Sequence, residues 1–130
     1  LALFDIRAAD EVYRRFPAVS RWYLGGHSLG GAMASSYVAG NEDQLSGLIL
    51  LGAYPVNDSS IPTLCIYGSE DIMLDRTKLT DVANQLEIAG GNHAQFGNYG
   101  VQEGDGVASI TREDQQRQAA EAILAFLKQG

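Results

Sequence analysis

The chemistry available to this chain starts from a serine set among glycines, two histidines and a few well-placed carboxylates. Residues 25–31 read Gly-Gly-His-Ser-Leu-Gly-Gly, and within them Gly26-His27-Ser28-Leu29-Gly30 has the G-x-S-x-G spacing. In that pattern a serine occupies a strained turn between a strand and a helix, with its hydroxyl lifted clear of the sheet. Gly26 and Gly30 are expected to offer no side chain that could collide with either element. The helix that follows puts its first amides and its dipole beneath the hydroxyl, where they favour developing negative charge. The backbone N–H of Leu29 is the expected oxyanion donor. A serine hydroxyl is too weakly acidic to act alone, so it needs a base, and the base needs an orienting carboxylate.

Two histidines are available. His27 adjoins Ser28 inside the turn and is expected to point away as a packing or supporting residue. His93 lies in Gly90-Gly91-Asn92-His93-Ala94-Gln95-Phe96, a glycine-rich loop. Loops at the carboxyl edge of a parallel sheet collect ligands and chemistry. His93 is therefore the expected base, against the plainer reading of an exposed loop histidine. For the acid, Glu70 and Asp71 follow directly on the apolar run Ile61–Tyr67. Asp71 is favoured because it sits just past a strand end and precedes Ile72, Met73 and Leu74; Glu70 and Asp75 compete. The chain order is then Ser28, Asp71, His93, a serine–acid–histidine order. Tyr54 reads as a substrate-pocket residue or a packed turn tyrosine. Phe96 and Tyr99 read as pocket walls or loop anchors. Asn92, Glu103 and Asp105 lack the regular oxygen spacing of a calcium loop, so no metal is expected. Cys65, in mid-strand, reads as a buried apolar filler.

These residues need elements to position them. Asp5–Phe16 has helical apolar spacing through Ile6, Ala9, Val12, Tyr13 and Phe16, with Asp5 as N-cap and Pro17 as stop. Trp22–Leu24 predicts a short buried strand. Leu29–Ala39 predicts a small-residue helix ended by Gly40. The continuous apolar runs Leu45–Leu51 and Ile61–Tyr67 suit strands buried on both faces of a parallel sheet. Arg76–Leu86 predicts a second connecting helix, with Leu79, Val82, Ala83 and Leu86 on one face, and Leu86–Ala89 a short strand. Residues 90–110, with six glycines, form a long loop. Thr111 caps a final helix whose apolar face is Ala119, Ala120, Ile123, Phe126 and Leu127; its scattered charges, like Glu42 and Asp43, read as solvated surface. Strands alternating with helices imply a parallel sheet covered on both sides.

Composition narrows the partners. With 130 residues the chain makes one domain at most. Hydrophobic residues at 45% and charged residues at 19% exclude a disordered acidic tail and argue against a coiled coil. Nine Lys+Arg against 16 Asp+Glu give a net charge of −7. Nucleic acid and anionic membrane surfaces are poor partners for such a balance. A single cysteine excludes a disulfide-stapled scaffold and a cysteine-built zinc site, and leaves the compartment open. No apolar run approaches the roughly 18 residues of a membrane span.

The strings GGHSLGGAMA at 25–34, IYGSEDIML at 66–74 and GGNHAQFGNYG at 90–100, running into QEGDG at 102–106, resemble the carboxyl-terminal part of an α/β-hydrolase. They are most similar to small bacterial enzymes related to dienelactone hydrolases and carboxylesterases. The resemblance covers nearly the whole chain. It implies an α/β fold, the carboxyl-terminal part of a doubly wound, mostly parallel sheet with helices on both faces. It implies Ser28 as nucleophile, Asp71 as acid and His93 as base, acting on a small-molecule acyl substrate with no cofactor. Dienelactone hydrolases carry cysteine where this chain has serine. The family's first strands, and the loop with its second oxyanion donor, would precede Leu1, so residues 1–130 are expected to form one incomplete domain. The Trp22–Leu24 strand would then be a sheet edge open to self-association. Two rival functions use the same sequence: an acyltransferase with this triad, and a non-catalytic remnant serving as a binding or assembly module.

Overall fold

The computed structural model describes residues 8–129. The elements are helix α1 (Ala8–Arg15), strand β1 (Tyr23–His27), helix α2 (Leu29–Val38), strands β2 (Gly47–Leu51), β3 (Thr63–Gly68) and β4 (Asn84–Ile88), and helix α3 (Arg112–Gln129). The expected N-cap Asp5 and the first apolar position Ile6 lie outside the described residues. All four strands are parallel and stand in the order β1-β2-β3-β4. Among the described residues β1 therefore has a partner on one side only.

The unbroken apolar runs explain the layering. Successive strand residues face opposite sides, so a strand buried on both sides must be apolar throughout. Leu48, Leu50 and Cys65 face the α2 side, where they pack with Ala34, Tyr37 and Val38. Ile49, Leu64, Ile66 and Ile88 face the other side and pack with Ala119 and Phe126 of α3. Helices thus cover both faces, as the strand–helix alternation predicts. Among the described residues no helix is long and apolar enough to cross a membrane.

Two local expectations are corrected. β1 runs on through Gly25 and Gly26 to His27, because β2 pairs with it residue for residue as far as Leu51. The predicted helix at 76–86 is only a short 3-10 turn, Arg76–Leu79, followed by β4. Gln85 is the cause: its Nε2 donates to the carbonyls of Leu79 at 2.7 Å and Val82 at 2.8 Å, which a helix would have used. Leu79 and Val82 join the α2-side core, whereas Leu86 turns to the α3 side, so they do not share one face. In α3, Gln115 is fully buried, one turn before Ala119 on the inward face. Thr111 does cap α3, its Oγ1 accepting from Asp114 N–H at 3.0 Å.

Ile66 sits fully buried in β3, between two other strands. Ile66→Ala should lower unfolding free energy by about 2–5 kcal/mol, because a large buried side chain leaves a cavity. Ile72→Ala, at a side chain 71% exposed, should change it by less than about 0.5 kcal/mol. Urea denaturation of the two variants checks the contrast.

Candidate active site

Three strand ends at the carboxyl edge of the sheet deliver the side chains. β1 ends at His27, and Ser28 begins the turn into α2 with φ 56° and ψ −121°. Ser28 is the one non-glycine residue at positive φ among the described residues. Such a conformation costs on the order of 1–3 kcal/mol and persists only where its surroundings enforce it. They do so here. Ser28 N–H is held by Leu51 O at 3.0 Å, and Ser28 O accepts from Ala32 N–H at 3.1 Å. A Cβ on Gly26 would overlap the Gly30 carbonyl, so the strand and the helix close on each other only with glycine there. The sequence reading had assigned the second close approach to Gly30. A Cβ at Gly30 would meet nothing, whereas one at Gly31 would lie 2.7 Å from the Ala53 Cβ.

Serine before a helix usually turns its oxygen onto the helix amides. Ser28 makes no such cap. Its Oγ instead lies 2.8 Å from His93 Nε2. His93 Nδ1 lies 2.7 Å from Asp71 Oδ2. A carboxylate can only accept, so Nδ1 carries the proton and Nε2 is left to accept from the serine hydroxyl. Asp71 is 1% and His93 4% exposed. The second carboxylate oxygen, Oδ1, accepts from Met73 N–H at 2.9 Å and Leu74 N–H at 3.1 Å. The structure therefore brings Ser28, His93 and Asp71 together. The rival acids are elsewhere: Glu70 accepts from the Ser69 hydroxyl, and Asp75 caps the 76–79 turn through Thr77.

The remaining predicted residues also find places. Leu29 opens α2, so its N–H has no partner within the helix, and its side chain is 50% exposed at the mouth. Tyr54 lines a cavity of about 310 Å³ with Ser28, Leu29, Ala32, Met73 and His93. Phe96 and Tyr99 act as anchors: Tyr99 stacks on His27 with centroids 5.6 Å apart, and Phe96 lies 5.9 Å from it. His27 does not point away from the site. Its Nε2 lies 2.8 Å from the His93 carbonyl oxygen, and the two imidazoles are 5.0 Å apart. Cys65 is buried, and burial pushes its thiol up to about 12. Among the described residues no group of three His, Cys, Asp or Glu side chains converges as a metal would need.

Several supporting residues were not found by sequence reasoning. Gly52, at φ 58°, passes beside the His93 ring, where a Cβ would lie 3.0 Å from His93 Nδ1. Arg76 donates to the carbonyls of Gly68 at 3.1 Å and Ser69 at 2.6 Å, holding the turn that carries Asp71. Gln115 exchanges hydrogen bonds with the Asn92 backbone: Nε2 to Asn92 O at 2.8 Å, and Oε1 from Asn92 N–H at 3.1 Å. That ties the loop of His93 to α3. Gln115 carried a usable signal, since it falls four residues before Ala119 on the apolar stripe. The rest depend on contacts distant in sequence.

Comparison with known proteins gives two findings. Residues 1–117 match the family model described as the alpha/beta hydrolase family. A solved structure described as a predicted CIB-like hydrolase from Thermoplasma acidophilum is similar in fold, with a TM-score of 0.64 at 18% identity. That match covers 98% of this chain and 61% of the other, so this chain spans less than two-thirds of its structural relative. No curated protein matches the sequence.

The two histidines are shifted in opposite directions. The hydrogen bond to Asp71 raises His93 above the ordinary 6.5, outweighing burial. Burial lowers His27 below 6.5. Raised in the fold, His93 stabilises the folded chain fully below pH 6.5, and this contribution fades as pH climbs through its folded value. An NMR titration should find the His93 midpoint above 6.5 and the His27 midpoint below it. Asp71→Asn should bring the His93 midpoint down, because the partner that favours the imidazolium is gone.

Proposed function

The chain belongs to the alpha/beta hydrolase family, and from that premise we propose that it is a serine hydrolase cleaving carboxylic esters or related acyl compounds. One observation carries the reading: a continuous hydrogen-bond line from Ser28 Oγ through His93 to a buried Asp71, at 2.8 and 2.7 Å. Ser28 attacks the acyl carbonyl while His93 Nε2 takes its proton. Asp71 keeps His93 in the Nδ1–H tautomer and stabilises the imidazolium once formed. The carbonyl oxygen becomes an oxyanion against the Leu29 N–H, at the positive end of α2. His93 then returns the proton to the leaving alcohol, which departs and leaves Ser28 acylated. Water, deprotonated by the same imidazole, releases the acid and restores the serine. These steps need no metal or organic cofactor.

The cavity beside Ser28 supports an acyl substrate. Ala32, Ala53, Val56, Met73 and Leu74 give it apolar walls, and Tyr54 stands among them. The only charge-bearing side chain on its lining is His93 itself. Strain at Ser28 supports the reading as well, since strained backbone of this kind clusters at active sites.

A fluorophosphonate probe, which phosphonylates an activated serine, tests the reading directly. The folded chain should label at one serine, and Ser28→Ala and His93→Ala should both abolish labelling. On a p-nitrophenyl ester, Ser28→Ala should lower kcat by roughly four to six orders of magnitude. Full hydrolysis by Ser28→Ala, or no labelling of a folded wild-type chain, would sink the proposal.

A further inference from the structure

His93 is held by its backbone as well as by its ring. Its own N–H donates to Asp105 Oδ1 at 3.0 Å, and the next amide, Ala94 N–H, donates to Oδ2 of the same carboxylate at 2.9 Å. Gly106 N–H also donates to Oδ1, at 2.8 Å. On the far side, His27 Nε2 approaches the His93 carbonyl oxygen at 2.8 Å, so this nitrogen carries a proton and donates. We propose that Asp105 is a positioning residue for the general base: by gripping two consecutive amides it fixes the His93 backbone, and through it the aim of Nε2 at Ser28. The inference rests on the hydrolytic reading of Ser28, His93 and Asp71.

The geometry makes the grip specific. His93 and Ala94 begin the short turn Ala94–Phe96, where the first amides have no partner within the turn. A carboxylate supplies both acceptors at once, and such charge-assisted bonds are the strong ones. Two attachments to successive amides fix the direction of the peptide between them, which one attachment would leave free to rotate. Asp71 acts on the ring and cannot do this. Asp105 therefore sets where the imidazole starts, and Asp71 sets how it turns. A base displaced by about 1 Å can lose about 100-fold in rate. Had the carboxylate served only to close its own turn, the bond to Gly106 would suffice and nothing at His93 would depend on it.

The titratable groups facing the His93 imidazole are Asp71 from the end of β3, His27 from β1, and Asp105 from its own loop. Removing the negative charge of Asp105 leaves the imidazolium less favoured. The midpoint reads that charge, and the labelling rate reads the aim of Nε2.

Asp105→Asn keeps the side chain's shape and one acceptor oxygen but loses the charge and the second acceptor. With circular dichroism unchanged, fluorophosphonate labelling of Ser28 should slow about ten- to hundredfold, and the NMR midpoint of His93 should fall. A folded Asp105→Asn chain with wild-type labelling rate and wild-type midpoint overturns the proposal. If the variant does not fold, the wild-type chain decides. The His93 and Ala94 amides should exchange their hydrogens slowly and at one shared rate, because a single carboxylate holds both. Two amides that exchange freely, or at separate rates, overturn it. A folded wild-type chain that shows the shared protection yet never labels counts against the hydrolytic reading and supports the grip.

Discussion

A carboxylate removed from water is the constraint around which this molecule is arranged. Asp71 is 1% exposed, and an ionised group in such a place is tolerated only with its lone pairs filled. One oxygen takes the amides of Met73 and Leu74, and the other takes the His93 ring. The loop after β3 and the loop after β4 therefore cannot move apart without stranding a charge. Once His93 is fixed against Asp71, its free nitrogen meets Ser28. That meeting in turn requires the serine to stand proud of the sheet at positive φ.

The sheet makes this arrangement repeatable. β1, β3 and β4 are parallel, so their carboxyl ends come out along one edge. Two cores, one on each face, keep the strands from sliding. The side chains that do the packing and those that meet at the carboxyl edge are almost entirely separate sets. Asp71 and His93 are buried polar members of the second set.

Much of this was legible in the sequence where the cause is local. The unbroken Leu48–Leu51 run can only be a strand covered on both faces. Thr111 announces a helix start by its own side chain. Gly26 stands where two backbones must touch. Ser28, Asp71 and His93 could be named because each sits just past an apolar run. What escaped had distant or reciprocal causes. Gln85 steals carbonyls from residues 79 and 82, and no helical period records that. Asp105 and Gln115 hold the loop of His93 from 12 and 23 residues away. Gly31, and not Gly30, is the tight neighbour, because Ala53 arrives from the end of a different strand.

The link between Gln115 and Asn92 has a consequence for the life of the chain. Ser28 and His93 are 65 residues apart. The loop of His93 is laced to α3 through a glutamine whose amide is sealed beneath it. A chain emerging from the ribosome thus carries Ser28 long before its histidine partner can be held in place. The pairing of the two is among the last contacts these residues can settle, because it waits for α3 to dock.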